Sequence, residues 1–208
     1  MAIEKEIKLA LPAEQADAAC RFFVARTGEA GREIALSNVY FDTPDLALAR
    51  SKSAVRLRRA PQGWLQTFKT VGTADGGLHR RHEWEMPVAA DALEIDALAA
   101  ACDVPEAAAA LRTAAPALHA LFRTDFSRTL WRIAVDGSIV EAAVDVGEIA
   151  AQVGDDAQRE PISEVELELI DGAEAALQTL AAELQRALPG LAPDNLSKAQ
   201  RGYRLRAQ

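Results

Sequence analysis

Ile3-Glu4-Lys5-Glu6-Ile7-Lys8-Leu9, near the start of the chain, alternates without a break: Ile3, Lys5, Ile7 and Leu9 fall on one face, Glu4, Glu6 and Lys8 on the other. A period of two over residues 2–10 predicts a half-buried β-strand, closed by Pro12. The same pattern recurs along the chain. Strands are expected at about 32–42, 53–60, 64–71 and 78–87, with Pro61-Gln62-Gly63 as a hairpin loop and Pro87 as a stop. Three more are expected at about 121–135, 138–149 and 161–170, the first two joined at Asp136-Gly137, a tight-turn dipeptide. Residues 154–160 read as a polar loop, and Gly72 to Gly77 as a hairpin connection or a phosphate cradle, the plain connection being favoured.

Helical patterns lie between the strands. Residues 13–27 are amphipathic and end at Gly28; the Ala-rich stretch 89–119 is broken by Pro105 and Pro116; a helix is expected at 173–188 and a basic one at about 196–206. Pro44 suits the start of a short helix or turn. Eight strands in hairpin order, with helices at the breaks, predict an α+β fold: a closed eight-stranded antiparallel β-barrel with helices packed outside and at the ends. An open sheet is the alternative. With no internal repeat or linker, residues 1–208 read as one domain.

Composition narrows the partners. Lys and Arg number 23 against 31 Asp and Glu, a net charge of −8, which argues against general affinity for nucleic acid or a membrane surface. No apolar run approaches the roughly 18 residues of a membrane span, and Met1-Ala2-Ile3-Glu4-Lys5-Glu6 lacks a signal peptide's apolar core, so a cytoplasmic location is expected. Cys20 and Cys102 have neither metal-ligand nor redox spacing, and His79, His82 and His119 are scattered.

The informative residues are those on the polar faces of the strands. Glu4, Glu6 and Lys8 form one column; Arg56 and Arg58 another; Lys69 stands with Thr67; Arg81, Glu83 and Glu85 share the fifth strand; Arg128 heads the sixth; Glu141 and Asp145 share the seventh; Glu164, Glu166 and Glu168 make the last. Columns of this kind usually face water. Here the signs are segregated by strand and the opposite faces are aliphatic, so helices packed outside would turn the charges into the barrel. Carboxylates stacked about 6.5 Å apart on one strand face then need divalent cations, for which hard oxygen ligands suit Mg²⁺ or Mn²⁺. The Arg and Lys columns need a polyanion, and guanidinium favours bidentate contact with phosphate. Metal and phosphate in one tunnel imply phosphoryl or nucleotidyl chemistry.

Glu4-x-Glu6-x-Lys8 on a first strand resembles the signature of the CYTH superfamily, the triphosphate tunnel metalloenzymes. Arg56-x-Arg58, Lys69, Arg81-x-Glu83, Arg128, Asp145, Glu164-x-Glu166-x-Glu168 and Ser197-Lys198 follow in the family's order, so the resemblance covers essentially the whole chain. Gly76-Gly77-Leu78-His79, Thr124-Asp125-Phe126, Ala134-Val135-Asp136-Gly137 and the stretch Leu196 to Tyr203 look most like the bacterial inorganic triphosphatase branch. Some members of that branch carry a C-terminal histidine-rich helical domain, which this sequence ends before.

The resemblance implies that Glu4, Glu6, Glu166 and Glu168 hold a divalent metal. Asp145 and Glu164 would complete its ligation or orient water. Lys8, Arg56, Arg58, Lys69, Arg81, Arg128 and Lys198 would bind the phosphates, with Arg201 as a weaker candidate. Glu83 and Glu85 would position these basic groups. The implied reaction is metal-dependent attack of water on a small-molecule substrate, tripolyphosphate or a related triphosphate. Thiamine triphosphatase, class IV adenylate cyclase and a non-catalytic polyphosphate-binding module are the other readings. Of Trp64, Trp84 and Trp131, only Trp64 lies near a strand end, as an aromatic rim for thiamine would require.

Overall fold

The structure, a computed structural model, describes residues 3–70 and 72–207. Among them are ten strands: β1 (Ile3–Ala10), β2 (Arg32–Asp42), β3 (Ser53–Ala60), β4 (Gly63–Thr70), β5 (Thr73–Asp75), β6 (Leu78–Val88), β7 (His119–Val135), β8 (Ser138–Val153), β9 (Asp156–Asp171) and β10 (Ala192–Pro193). The helices are α1 (Ala16–Thr27), α2 (Ala47–Arg50), α3 (Ile95–Ala101), α4 (Pro105–Ala114), α5 (Ala175–Ala187) and α6 (Lys198–Arg206). The first and fourth expected strands reached residues 2 and 71, which lie outside the described residues.

Neighbouring strands run β1-β9-β8-β7-β2-β3-β4-β6, and β6 pairs back onto β1, so eight of the ten close into an antiparallel barrel. Closure leaves no exposed edge in the ring. The two short strands finish its edges. β10 pairs with Leu9 and Ala10 of β1, and β5 continues along β6 where β4 ends. Gly72 stands at that joint because a Cβ there would lie 1.5 Å from the carbonyl oxygen of Arg80.

Two expectations are corrected and a third, the hairpin reading of Gly72 to Gly77, is met. Residues 156–160 are strand rather than loop. β8 and β9 pair out to Val153↔Asp156 around Gly154, and Ala151 on this extension is buried next to Ile149 and Ile162. Pro87 lies within β6, opposite Leu65 of β4 and beyond the reach of β1, where a strand can do without an N–H. The loop Gly72 to Gly77 is a hairpin connection containing β5. Gly76 and Gly77 take left-handed angles at its tip, and Gly77 accepts from Lys8 N and donates to Asn195 Oδ1, both at 2.8 Å.

Apolar packing decides which face of each strand turns inward. α1 and α5 cover the outside of β1, β8 and β9 over Ile7, Leu9, Val140, Val165 and Leu167. α3 and α4 cover β4 and its neighbours over Val55, Phe68 and Trp84. With these faces committed to helices, strand alternation sends Glu4, Glu6, Arg56, Arg58 and Glu166 inward. A third cluster, including Leu36, Phe122, Phe126, Ile149 and Ile162, occupies the inner face at one end and receives Leu205 of α6. α6 thus closes that end from within.

Local chemistry fixes α6. Ser197 caps it, accepting from Gln200 N while the Gln200 side chain accepts from Ser197 N. Tyr203 donates to Asp42 Oδ2 at 3.0 Å, and the same buried carboxylate accepts from the backbone of Thr43, Leu48 and Ala49 at the start of α2. Phe122 is stacked on Tyr40 at 4.7 Å and meets Tyr203 edge-on at 5.2 Å.

Gly202 presses its backbone onto Phe122, and a Cβ there would fall 2.1 Å from the ring. Gly to Ala inside a helix ordinarily stabilises by about 1 kcal/mol. Here the ring is wedged between Tyr40 and Tyr203, so Gly202→Ala is expected to destabilise instead, by about 1–3 kcal/mol as overpacking does. Urea unfolding checks it; a variant as stable as the parent would disprove the seat assigned to α6.

Candidate active site

The barrel encloses a cavity of about 1020 Å³. Glu4, Glu6, Lys8, Arg56, Arg58, Lys69, Arg81, Glu83, Glu85, Arg128, Glu141, Glu166, Glu168 and Lys198 all line it. The charged columns of eight separate segments therefore meet in one chamber.

Its acidic wall is built by pairing. Across β1 and β9, Glu6 stands opposite Glu168 and Lys8 opposite Glu166. Glu4 and Glu6 share Arg81, which donates Nε to Glu4 and Nη2 to Glu6, each at 2.6 Å. Lys69 reaches Glu4 at 3.2 Å and Glu83 at 2.5 Å. Burial raises Glu4, but Lys69 and Arg81 outweigh it and hold the carboxyl well below the usual range. Glu168 has no such help: it makes no ion pair among the described residues. Burial, reinforced by the Glu4 and Glu6 charges, pushes its carboxyl up to about 8. Glu6 rises to about 7 through burial, against the pull of Arg81 and with the push of Glu166 and Glu4. Glu6 and Glu168, opposite each other on β1 and β9 and only partly compensated, fit a hard divalent cation.

A second acidic group has a cation already. Asp145, Glu164 and Glu166 each offer an oxygen within 4.8 Å of one another. The ammonium of Lys198 sits among them, at 2.6 Å from Asp145, 2.9 Å from Glu166 and in direct contact with Glu164. Arg128 adds a bidentate pair to Asp145, both arms at 2.7 Å, and a further contact to Glu166. The ring of Phe126 lies under both cations, 4.9 Å from Lys198 Nζ and 5.7 Å from the Arg128 guanidinium. Burial lowers Lys198, but the three carboxylates prevail and hold it well above its ordinary value.

Asp145, Glu164 and Arg201 are not among the residues that line the chamber. Asp145 and Glu164, 0 % and 1 % exposed, lie on the same inner face next to Glu166, with the Lys198 ammonium against both. Arg201 does not line the chamber; it is spent on Glu160 at 2.6 Å, Glu164 at 3.2 Å and the Pro161 carbonyl.

The basic wall lies on β3 and β4. Arg56 donates Nε to Thr67 Oγ1 at 3.2 Å, and Thr67 donates to Glu85 at 2.8 Å. Glu83 and Glu85 approach Arg56 to 3.8 and 3.6 Å. Lys8, 1 % exposed, lies 3.1 Å from Asp194 and 3.8 Å from Glu164, yet its ammonium has no well-aligned hydrogen bond.

Sequence reading gave no site role to Tyr40, Asn38, Thr67 and Thr124, all buried on the inner face. Asn is disfavoured in strands, so Asn38 amid β2 was the available signal. His79, another lining residue, holds the Asp194 carbonyl through Nε2 at 2.9 Å, so that nitrogen carries the proton.

A sequence model of the CYTH domain matches residues 2–203. The inorganic triphosphatase of Haemophilus influenzae is 32 % identical over 206 residues, which cover 97 % of this chain and 54 % of that protein. The chain thus spans about half the length of the curated relative it matches. Among solved structures, a candidate adenylyl cyclase from Hippeastrum with a dominant triphosphatase activity superposes with a TM-score of 0.64, at 20 % identity, over 97 % of this chain and 95 % of that one. A candidate adenylate cyclase from Bacillus halodurans gives 0.61 at 19 % identity, over 96 % of both chains. At such identities the likeness concerns the barrel.

Carboxyls raised to about 7 and about 8 are protonated in acid, and a cation must displace those protons. Affinity for Mn²⁺ is therefore expected to rise about tenfold or more between about pH 6 and about pH 9 and to level off above the higher value. Calorimetric titration of Mn²⁺ at several pH values checks it. An affinity flat across that range would remove Glu6 and Glu168 from the ligand set.

Proposed function

The chain belongs to the CYTH domain family, and from that premise we propose that it hydrolyses inorganic triphosphate to pyrophosphate and phosphate with the help of Mg²⁺ or Mn²⁺. The observation that carries the reading is the meeting of two walls in one chamber: carboxylates with incompletely matched charge on β1 and β9, arginines on β3. A linear polyanion carrying a divalent cation complements both at once.

Glu4, Glu6, Glu166 and Glu168 would hold the metal, which when bound neutralises phosphate charge and polarises the phosphoryl group. Arg56, Arg58, Lys69 and Lys8 bind and align the phosphate oxygens. Arg81 and Arg128 bridge to the acidic wall and stay available as pairs loosen around the substrate. Phosphoryl transfer passes through a loose, in-line transition state, so alignment and charge neutralisation do most of what is needed. No nucleophilic side chain is required. Lys198 keeps Asp145, Glu164 and Glu166 in register and holds α6 across the end of the chamber.

The inorganic substrate is favoured because the tryptophans are engaged outside. Trp131 is buried against Phe23 and donates to the Glu29 carbonyl, Trp84 donates to Asp103 at 3.1 Å, and Trp64 is faced by Arg59 at 5.9 Å. None offers a platform for a thiazolium or purine ring.

Phosphate release from tripolyphosphate, with ATP and thiamine triphosphate in parallel, is expected to be fast for tripolyphosphate and to need Mg²⁺ or Mn²⁺. Release from none of the three by folded, metal-loaded protein would refute the assignment. Replacing Glu4 and Glu6 together by Gln keeps acceptors for Arg81 while removing both charges. Hydrolysis is expected to fall about a hundredfold or more, with the native fold retained by circular dichroism. An active double variant would refute the metal role of β1.

A further inference from the structure

The four tunnel arginines are anchored in two different ways. Arg81 and Arg128 are gripped by carboxylates at 2.6–2.7 Å, so their charges are largely cancelled before any ligand arrives. Arg58 instead donates Nε to the side-chain oxygen of Asn38 at 2.7 Å. Arg56 is held by two hydroxyls, Thr67 at 3.2 Å and Tyr40 at 3.5 Å. Their carboxylate contacts are longer, 3.6–3.9 Å to Glu83 and Glu85.

Asn38 is well built for this task. It is fully buried, and its Nδ2 donates to Thr124 Oγ1 at 2.9 Å and to the Thr124 carbonyl at 3.4 Å. Since a carbonyl only accepts, the amide cannot be flipped, and its oxygen is committed to Arg58. A neutral acceptor fixes the guanidinium plane and leaves its charge facing the chamber, countered only by Glu85 at 3.9 Å. A carboxylate in the same place would fix the plane and remove the charge.

We propose that Asn38 is a positioning residue that presents Arg58 uncancelled to the substrate, and that Arg58 and Arg56 together form a pole that binds the triphosphate without metal. The proposal rests on the triphosphatase reading. Burial, with Arg56 and Arg128 nearby, lowers Arg58 to about 10, as expected of a cation short of counter-charge. The chamber then has a division of labour: a metal-loaded wall on β1 and β9, and an anion-receiving wall on β2 and β3 that is charged in advance.

The test is calorimetric binding of tripolyphosphate in EDTA to the wild type, Asn38→Asp and Asn38→Ala, with melting curves for each. The wild type is expected to bind. Asn38→Asp replaces the amide nitrogen with oxygen and gives Arg58 a counter-ion, and is expected to weaken binding by about tenfold or more; it also gives up the bond to the Thr124 carbonyl, so its melting curve serves to show that the variant is folded. Asn38→Ala, which loses the acceptor and adds no charge, is expected to weaken binding less. Binding by Asn38→Asp within about twofold of the wild type overturns the proposal. So does equal weakening by both folded variants. Wild-type binding only when Mn²⁺ is present overturns the metal-independent pole and leaves the triphosphatase reading standing. No binding in either condition overturns that reading itself.

Discussion

A charge placed inside a closed barrel has lost most of its water, and the attraction of a nearby opposite charge must make good that loss. Nearly every feature of this chamber follows from that constraint. Arg81 bridges Glu4 and Glu6, Arg128 bridges Asp145 and Glu166, and Lys198 fills the gap among three carboxylates. Where the matching is incomplete, at Glu168 and Arg58, the mismatch points outward to a ligand: a cation for the carboxylate, an anion for the guanidinium. The imbalance is local and of both signs, so it can be relieved by one metal-bearing polyanion and not by either ion alone.

The same constraint explains the unusual position of α6. A barrel open at both ends would let water screen the interior charges. The inner face of β7, β8 and β9 turns apolar at one end, at Phe126, Ile149 and Ile162, and α6 seals it with Leu205. The helix also carries Lys198 into the acidic cluster, so closure and charge matching come from one element. The Tyr203 to Asp42 bond and the bare backbone at Gly202 bring the helix close enough to do both.

The supporting carboxylates and the neutral clamps serve different ends. Glu83 and Glu85 stand at 2.5–3.8 Å from Lys69 and Arg56 and keep the basic wall from repelling itself. Asn38, Thr67 and Tyr40 hold the arginine planes with neutral oxygens. Orientation without neutralisation is what a polyanion site needs, since a guanidinium already paired with a carboxylate must give up that pair before it can bind phosphate.

Much of this was legible in the chain. Strand periodicity exposed the columns at Glu4 and Glu6, Arg56 and Arg58, and Glu164, Glu166 and Glu168, because alternation is a local property of the backbone that the sequence fixes residue by residue. The extension of β8 and β9 through 156–160 was not, since a polar ribbon looks like a loop until Ile149 and Ile162 are seen to pack beneath α6. Nor could spacing tell Glu166 from Glu164, two residues apart on one face, of which the first lines the chamber and the second lies behind Lys198. Arg201 sits one helical turn from Lys198 and yet turns to Glu160. Asn38 looked like one polar residue in an ordinary strand. The sequence alone determined which residue types share a face. Tertiary structure decided which of them meet, because distances across a closed barrel depend on strand order, register and the seating of one helix, and these arise from packing among segments far apart in the chain.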